Sequence, residues 1–166
     1  MKGTASDWDR LRVPRRRVPA RLVLADGTLS VGELYADVIR PDGSIGRVAD
    51  RLSDTLENYL PLAADGEHVL LNKAAIALVR LAPEEVEFPT ADGVSDHEVR
   101  VRLSTGQVVH GTFRAFALPG YARVLDYLNR TSERFIALLE SEGAVLVNVT
   151  FIAGVTEIHQ HERISG

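Results

Sequence analysis

The sequence predicts a mainly β chain, β with short helices, made by tandem duplication of one small five-stranded unit. Three observations predict it. Two stretches, "RLSDTLENYLPL" (51–62) and "RVLDYLNRTSERFIAL" (123–138), repeat one pattern. The segments around them match block by block at nearly constant spacing. Within those blocks apolar and polar residues alternate as they do in half-buried strands.

The correspondence has three offsets. At 79, Arg21 matches Arg100, Leu24 matches Leu103, Gly27 matches Gly106 and Gly32 matches Gly111. At 72, Arg51 matches Arg123, Asp54 matches Asp126 and Leu56 matches Leu128. At 76, Leu70 matches Leu146, Asn72 matches Asn148, Ile76 matches Ile152 and Val79 matches Val155. The changes in offset fall between blocks, where loops of a duplicated fold absorb insertions. The reading divides the chain into a basic arm (1–20), a first repeat (21–81), a linker (82–98), a second repeat (99–157) and a C-terminal tail (158–166). Two such copies are expected to pack about an approximate two-fold.

Each copy reads in the order strand, strand, helix, strand, strand, strand. In "EVRVRLSTG", Val99, Val101 and Leu103 share one face and Arg100 and Arg102 the other, ahead of a Thr-Gly turn. Leu22 and Leu24 precede Asp26-Gly27 in the same way, the pair that tolerates positive φ in a tight hairpin. Gly32 and Gly111, inside the second strand of each copy, mark a bulge or sharp bend. In the repeated phrase Leu52 and Leu56, or Val124 and Leu128, are four apart and predict a helix of about two turns. Leu56 and Leu128 are the apolar anchors expected to plug each unit, with Asp54 and Asp126 opposite them as caps or partners of the nearby arginines. Asn72 and Asn148 precede turns, where their amides bond local backbone.

Five short bent strands and one small helix between strands 2 and 3 suit an SH3-like or Sm-like small barrel. The pattern "RLSDTLEN", "YLPL", "DG" and "LLNKAAI" in the first copy, with "RVLDYLNR", "FIAL" and "LVNVTFI" in the second, resembles an uncharacterised family of small bacterial Sm-like/SH3-like β-barrel proteins. The resemblance covers roughly 20–80 and 99–157. It implies a fold and brings no site residues with it.

Charge is unevenly spread. Of the 166 residues, the first 21 carry seven basic side chains against two acidic, and the rest carry twelve against twenty-one. An Arg-rich arm either lies on its own acidic body or reaches an anionic partner. Arg15, Arg16 and Arg17 are therefore candidate anion- or partner-binding residues. Trp8 and Leu11, three apart, either form the apolar face of an anchor for a partner or dock on the protein itself.

Catalytic signals are missing: there is no phosphate-binding glycine loop, dinucleotide fingerprint, nucleophile elbow or zinc-protease motif. Carboxylates and His97 in "ADGVSDHE" read as a solvated linker, and His159 and His161 in "EIHQHE" as a tail. With no Cys, thiol catalysis and Cys-held zinc are excluded. No catalytic residue, metal or cofactor is expected, and the chain is not expected to be an enzyme. The leading reading is a non-catalytic protein-interaction or assembly module, because small barrels offer edge strands to partner strands. Its partner is a protein or larger assembly, self-association included. The alternative is RNA or other nucleic-acid binding through the arm, opposed by the acidic body and 6% aromatic content. An enzyme of unknown reaction is third. No long apolar run or leader is seen, so a membrane span is not expected and the cytoplasm is the expected location.

Overall fold

A computed structural model describes residues 14–116 and 124–158. The strands are β1 (Arg15–Leu24), β2 (Leu29–Asp37), β3 (Tyr59–Ala64), β4 (Glu67–Asn72) and β5 (Ile76–Leu81), then β6 (Val94–Leu103), β7 (Val108–Phe116), β8 (Phe135–Glu140), β9 (Gly143–Asn148) and β10 (Ile152–Glu157). Helix α1 (Val48–Ser53) lies between β2 and β3, and α2 (Val124–Arg130) between β7 and β8. A 3-10 turn joins β4 to β5, and another joins β9 to β10. β1 starts six residues inside the segment read as an arm, and β6 starts five residues inside the expected linker.

All ten strands belong to one antiparallel sheet in the order β10-β6-β7-β8-β9-β5-β1-β2-β3-β4. Among the described residues its end strands, β10 and β4, do not pair, so the sheet is open. Strands 5-1-2-3-4 of the first half and 10-6-7-8-9 of the second have equivalent orders. Their registers agree as well. Leu22 faces Val79 as Val101 faces Val155, and Tyr59 faces Asn72 as Phe135 faces Asn148. Both fifth strands carry a bulge at the same place.

The halves join head to tail. β9, fourth strand of its half, pairs with β5, fifth strand of the other, whereas an approximate two-fold would join like strands. The two-fold expectation is therefore replaced, for a physical reason. "IALVRL" and "GAVLVN" are apolar in nearly consecutive positions, and such strands need cover on both faces. Placed side by side at the middle of the sheet, both receive it. Leu22, Val79, Leu81, Ala144 and Leu146 enter one apolar cluster, while Val23, Leu78, Val145 and Val147 enter the other.

Gly32 and Gly111 mark close approaches rather than bulges in their own strands. A Cβ on Gly32 would collide with the Ala63 carbonyl oxygen, and one on Gly111 would sit 2.8 Å from that of Leu139. The missing side chains let β3 and β8 cross close over β2 and β7, where pairing is brief: Glu33 with Ala63, and Thr112 and Phe113 with Leu139 and Leu138. At the first hairpin, Gly27 at φ 83° and the Asp26 carboxylate accepting the Thr28 N–H close the turn.

The helices depart from expectation in one respect. α1 ends at Ser53, because the Asp54 carboxylate accepts the Leu56 N–H at 2.8 Å and turns the chain out of helical geometry. Leu56 is 90% exposed and cannot plug the first half; Val48 and Leu52 do so, both fully buried. Leu128 is half-buried in α2, beside Tyr127, whose ring meets Phe113 edge-on at 4.8 Å. Leu52→Ala is expected to cost about 2–5 kcal/mol in urea unfolding, and Leu56→Ala to stay within about 0.5 kcal/mol of the parent.

Candidate interaction edges

The three arginines singled out in the sequence lie on β1, each beside an acid of the same chain. Arg15 Nε is 3.5 Å from Asp37, and Arg17 Nη1 is 3.9 Å from Glu33 with its guanidinium 5.8 Å from the Tyr35 ring centre. Arg16 is held most firmly, donating to both oxygens of the buried Glu85 at 2.5 and 2.6 Å and to the Gly46 carbonyl at 2.8 Å. The hydrogen bonds to Glu85 raise the Arg16 pKa above its ordinary value, helped by the charges of Glu85 and Glu84 and opposed by burial. Trp8, Leu11, His159 and His161 lie outside the described residues. Arg16→Ala leaves the Glu85 carboxylate buried without its donor and is expected to cost about 2–3 kcal/mol, against about 0–1 kcal/mol for the exposed Arg17→Ala; thermal melts of the two variants compare them directly.

Asp54 and Asn72 serve local structure around a buried lysine. The Asn72 amide oxygen accepts the Ala74 N–H at 3.0 Å, as that of Asn148 accepts the Thr150 N–H at 3.1 Å. Between them in the first half, Lys73 is fully buried and its ammonium donates to the Arg51 carbonyl and, at 2.8 Å, to that of Asp54. The lysine thus ties the end of α1 to the β4–β5 turn. Val149 stands at its place in the second half. Burial lowers the Lys73 pKa, outweighing the pull of the Asp54 and Glu57 carboxylates.

The unfolded lysine titrates near its ordinary value of about 10.4. Between the lowered folded pKa and that value the unfolded chain holds more protons, so stability rises with pH. Lys73→Met strands two carbonyls, at an expected cost of about 1–3 kcal/mol at neutral pH. Urea titrations should show the gap to the parent widening as pH climbs toward the ordinary lysine value.

A cleft of about 790 Å³ runs along the junction, lined by Arg21, Arg80, His110, Glu140 and Glu142 among others. Arg80 Nε donates to both Glu140 oxygens there, at 3.3 and 3.2 Å, linking β5 to the end of β8 across β9. Among the described residues no three His, Asp or Glu side chains gather as metal ligands, and no helix is long and apolar enough to cross a membrane.

What remains is the pair of end strands. β4 is the first-half counterpart of β9. Leu146, at the junction, is 4% exposed, whereas its counterpart Leu70 is 70% exposed and Val69 44%. Tyr59 and Leu56 add exposed apolar surface in the same region of the chain. Neither "EHVLLN" nor "IAGVTE" holds a Lys or Pro, the residues that commonly blunt a free edge. Val69 and Leu70 were not singled out from the sequence. Their match to Val145 and Leu146 at offset 76 was the available signal, but identical residues give no hint that only one set is covered. Comparison of the chain with protein-family models, with curated proteins and with solved structures gave no match.

Proposed function

We propose that this chain is a non-catalytic protein-interaction or assembly module, built from two tandem SH3-like/Sm-like units, that takes partner strands onto the edges of its sheet. One observation carries the reading: within the chain, a fourth strand already docks on a fifth strand across a unit boundary, through four residue pairs and the Asn148 side-chain bond to the Ile76 carbonyl at 2.9 Å. Among the described residues the same two kinds of edge, on β10 and β4, have no second partner strand. Strand addition supplies affinity through main-chain hydrogen bonds and specificity through alternate side chains, and β4 offers Val69 and Leu70 for that purpose. The acids beside Arg15, Arg16 and Arg17 offset the charge that a phosphate backbone would need, which favours a protein partner over nucleic acid.

The test pairs capture with a backbone readout. Tagged parent chain and a Val69→Asp, Leu70→Asp double variant are incubated with native lysate, after melting curves establish that both are folded. A partner held by the parent and lost by the variant is expected, with slowed amide hydrogen exchange across 67–71 in the complex. Equal capture by both chains, or unchanged exchange in this segment, would overturn the reading.

A further inference from the structure

Resting on that edge-pairing reading, we infer that the partner is a second copy of this chain, its β10 docked in register on β4. The template is the junction inside the molecule. There Leu78 faces Val147, Val79 faces Leu146, Arg80 faces Val145 and Leu81 faces Ala144. The offset of 76 carries each pair to the open ends: Gly154 of one copy opposite Leu71 of the next, Val155 opposite Leu70, Thr156 opposite Val69, and Glu157 opposite His68. Neither edge has to change shape. β10 pairs with β6 in the register that β5 keeps with β1, and its bulge lies outside the four pairs, as the bulge of β5 does. β3 and β4 repeat the register of β8 and β9.

The side chains follow the template closely at the centre. Leu70, Val155 and Asn72 are identical in type to Leu146, Val79 and Asn148. Asn72 makes the same local cap as Asn148 and is exposed where Asn148 is buried against Ile76; its counterpart acceptor is the Ile152 carbonyl of the second copy. The rim differs. Gly143 lets the Leu81 carbonyl approach to 2.8 Å of where a Cβ would lie, and Glu67 occupies the matching position on β4. The contact between copies is therefore looser at that end than the one inside the chain. Because the two edges differ, each added copy leaves one of each kind free, and association continues until the geometry closes a ring or extends a filament.

The chain has no Cys, so introduced thiols report contacts without background. Two single variants, Val69→Cys and Thr156→Cys, are mixed and oxidised. Paired strands hold facing Cα atoms about 4.5–5.5 Å apart, within disulfide reach. A covalent heterodimer from the mixture is expected, with neither variant cross-linking alone. In light scattering the parent should grow in mass with concentration. Leu70→Lys should raise the concentration at half-association about tenfold or more, by burying a charge in the pairing, and Glu67→Gly should lower it. Homodimers of either variant without the heterodimer would overturn the inference, as would monomer mass throughout with no cross-link. If a different protein is then captured in a Leu70-dependent way, self-pairing alone falls and the edge reading stands; if edge-dependent capture also fails, both fall.

Discussion

The ladder between β5 and β9 is the contact on which the rest of the molecule depends. It joins the halves into one sheet, and it gives the two most apolar strands cover on both faces. A small unit standing alone would leave one face of its fourth or fifth strand in water. Burial returns roughly 25 cal/mol for each Å² of apolar surface withdrawn from solvent, so covering both strands with one contact is the economical solution. Head-to-tail geometry follows, because a fourth and a fifth strand present different edges and only an unlike pairing buries one of each.

The consequence is that two apolar clusters are continuous through the centre of the molecule. β1 contributes Leu22 to one and Val23 to the other, β5 contributes Val79 and Leu78, and β9 contributes Leu146 and Val147. Side chains of successive strand residues point to opposite faces, so a single strand can serve both clusters only if it carries apolar residues without alternation. This is why the central strands read as runs while the outer strand β6 alternates cleanly, with Val99, Val101 and Leu103 buried and Arg100 and Arg102 in solvent. The close crossings at Gly32 and Gly111 then bend each half, setting the third and fourth strands over the first two.

Much of this was legible in the residues themselves. Alternation located β6, Asp26-Gly27 located the first hairpin, and the offsets between copies anticipated equal strand orders. Other features needed three dimensions. Leu56 and Leu128 look equivalent in the sequence, yet the Asp54 carboxylate ends α1 early while α2 runs through Leu128. Arg16 looked like part of a charged arm because its partner, Glu85, lies 69 residues away. The two-fold expectation failed because periodicity reports which face of a strand is buried and is silent about which edge meets which. The candidate edge was hidden for the same reason.

The differences between the two halves lie where their surroundings differ. At the inner junction the rim residues are Leu81, Ala144 and Gly143, small or apolar and suited to permanent contact; at the open ends their counterparts are Glu157, His68 and Glu67. The central residues Val69 and Leu70 keep the types of Val145 and Leu146. Glu67 is exposed at the rim of β4, whereas the Glu157 carboxylate at the rim of β10 already accepts the Val124 N–H at 2.9 Å, and a desolvated ion has to be either paired or left at the margin of the contact. On the proposed pairing, Glu67 and Glu157 stay at the margin and weaken the contact, while Val69, Leu70 and Val155 supply its apolar centre. On that proposal one strand-to-strand geometry would serve two purposes, a permanent junction inside the chain and a reversible one between chains, separated by the chemistry of three rim positions.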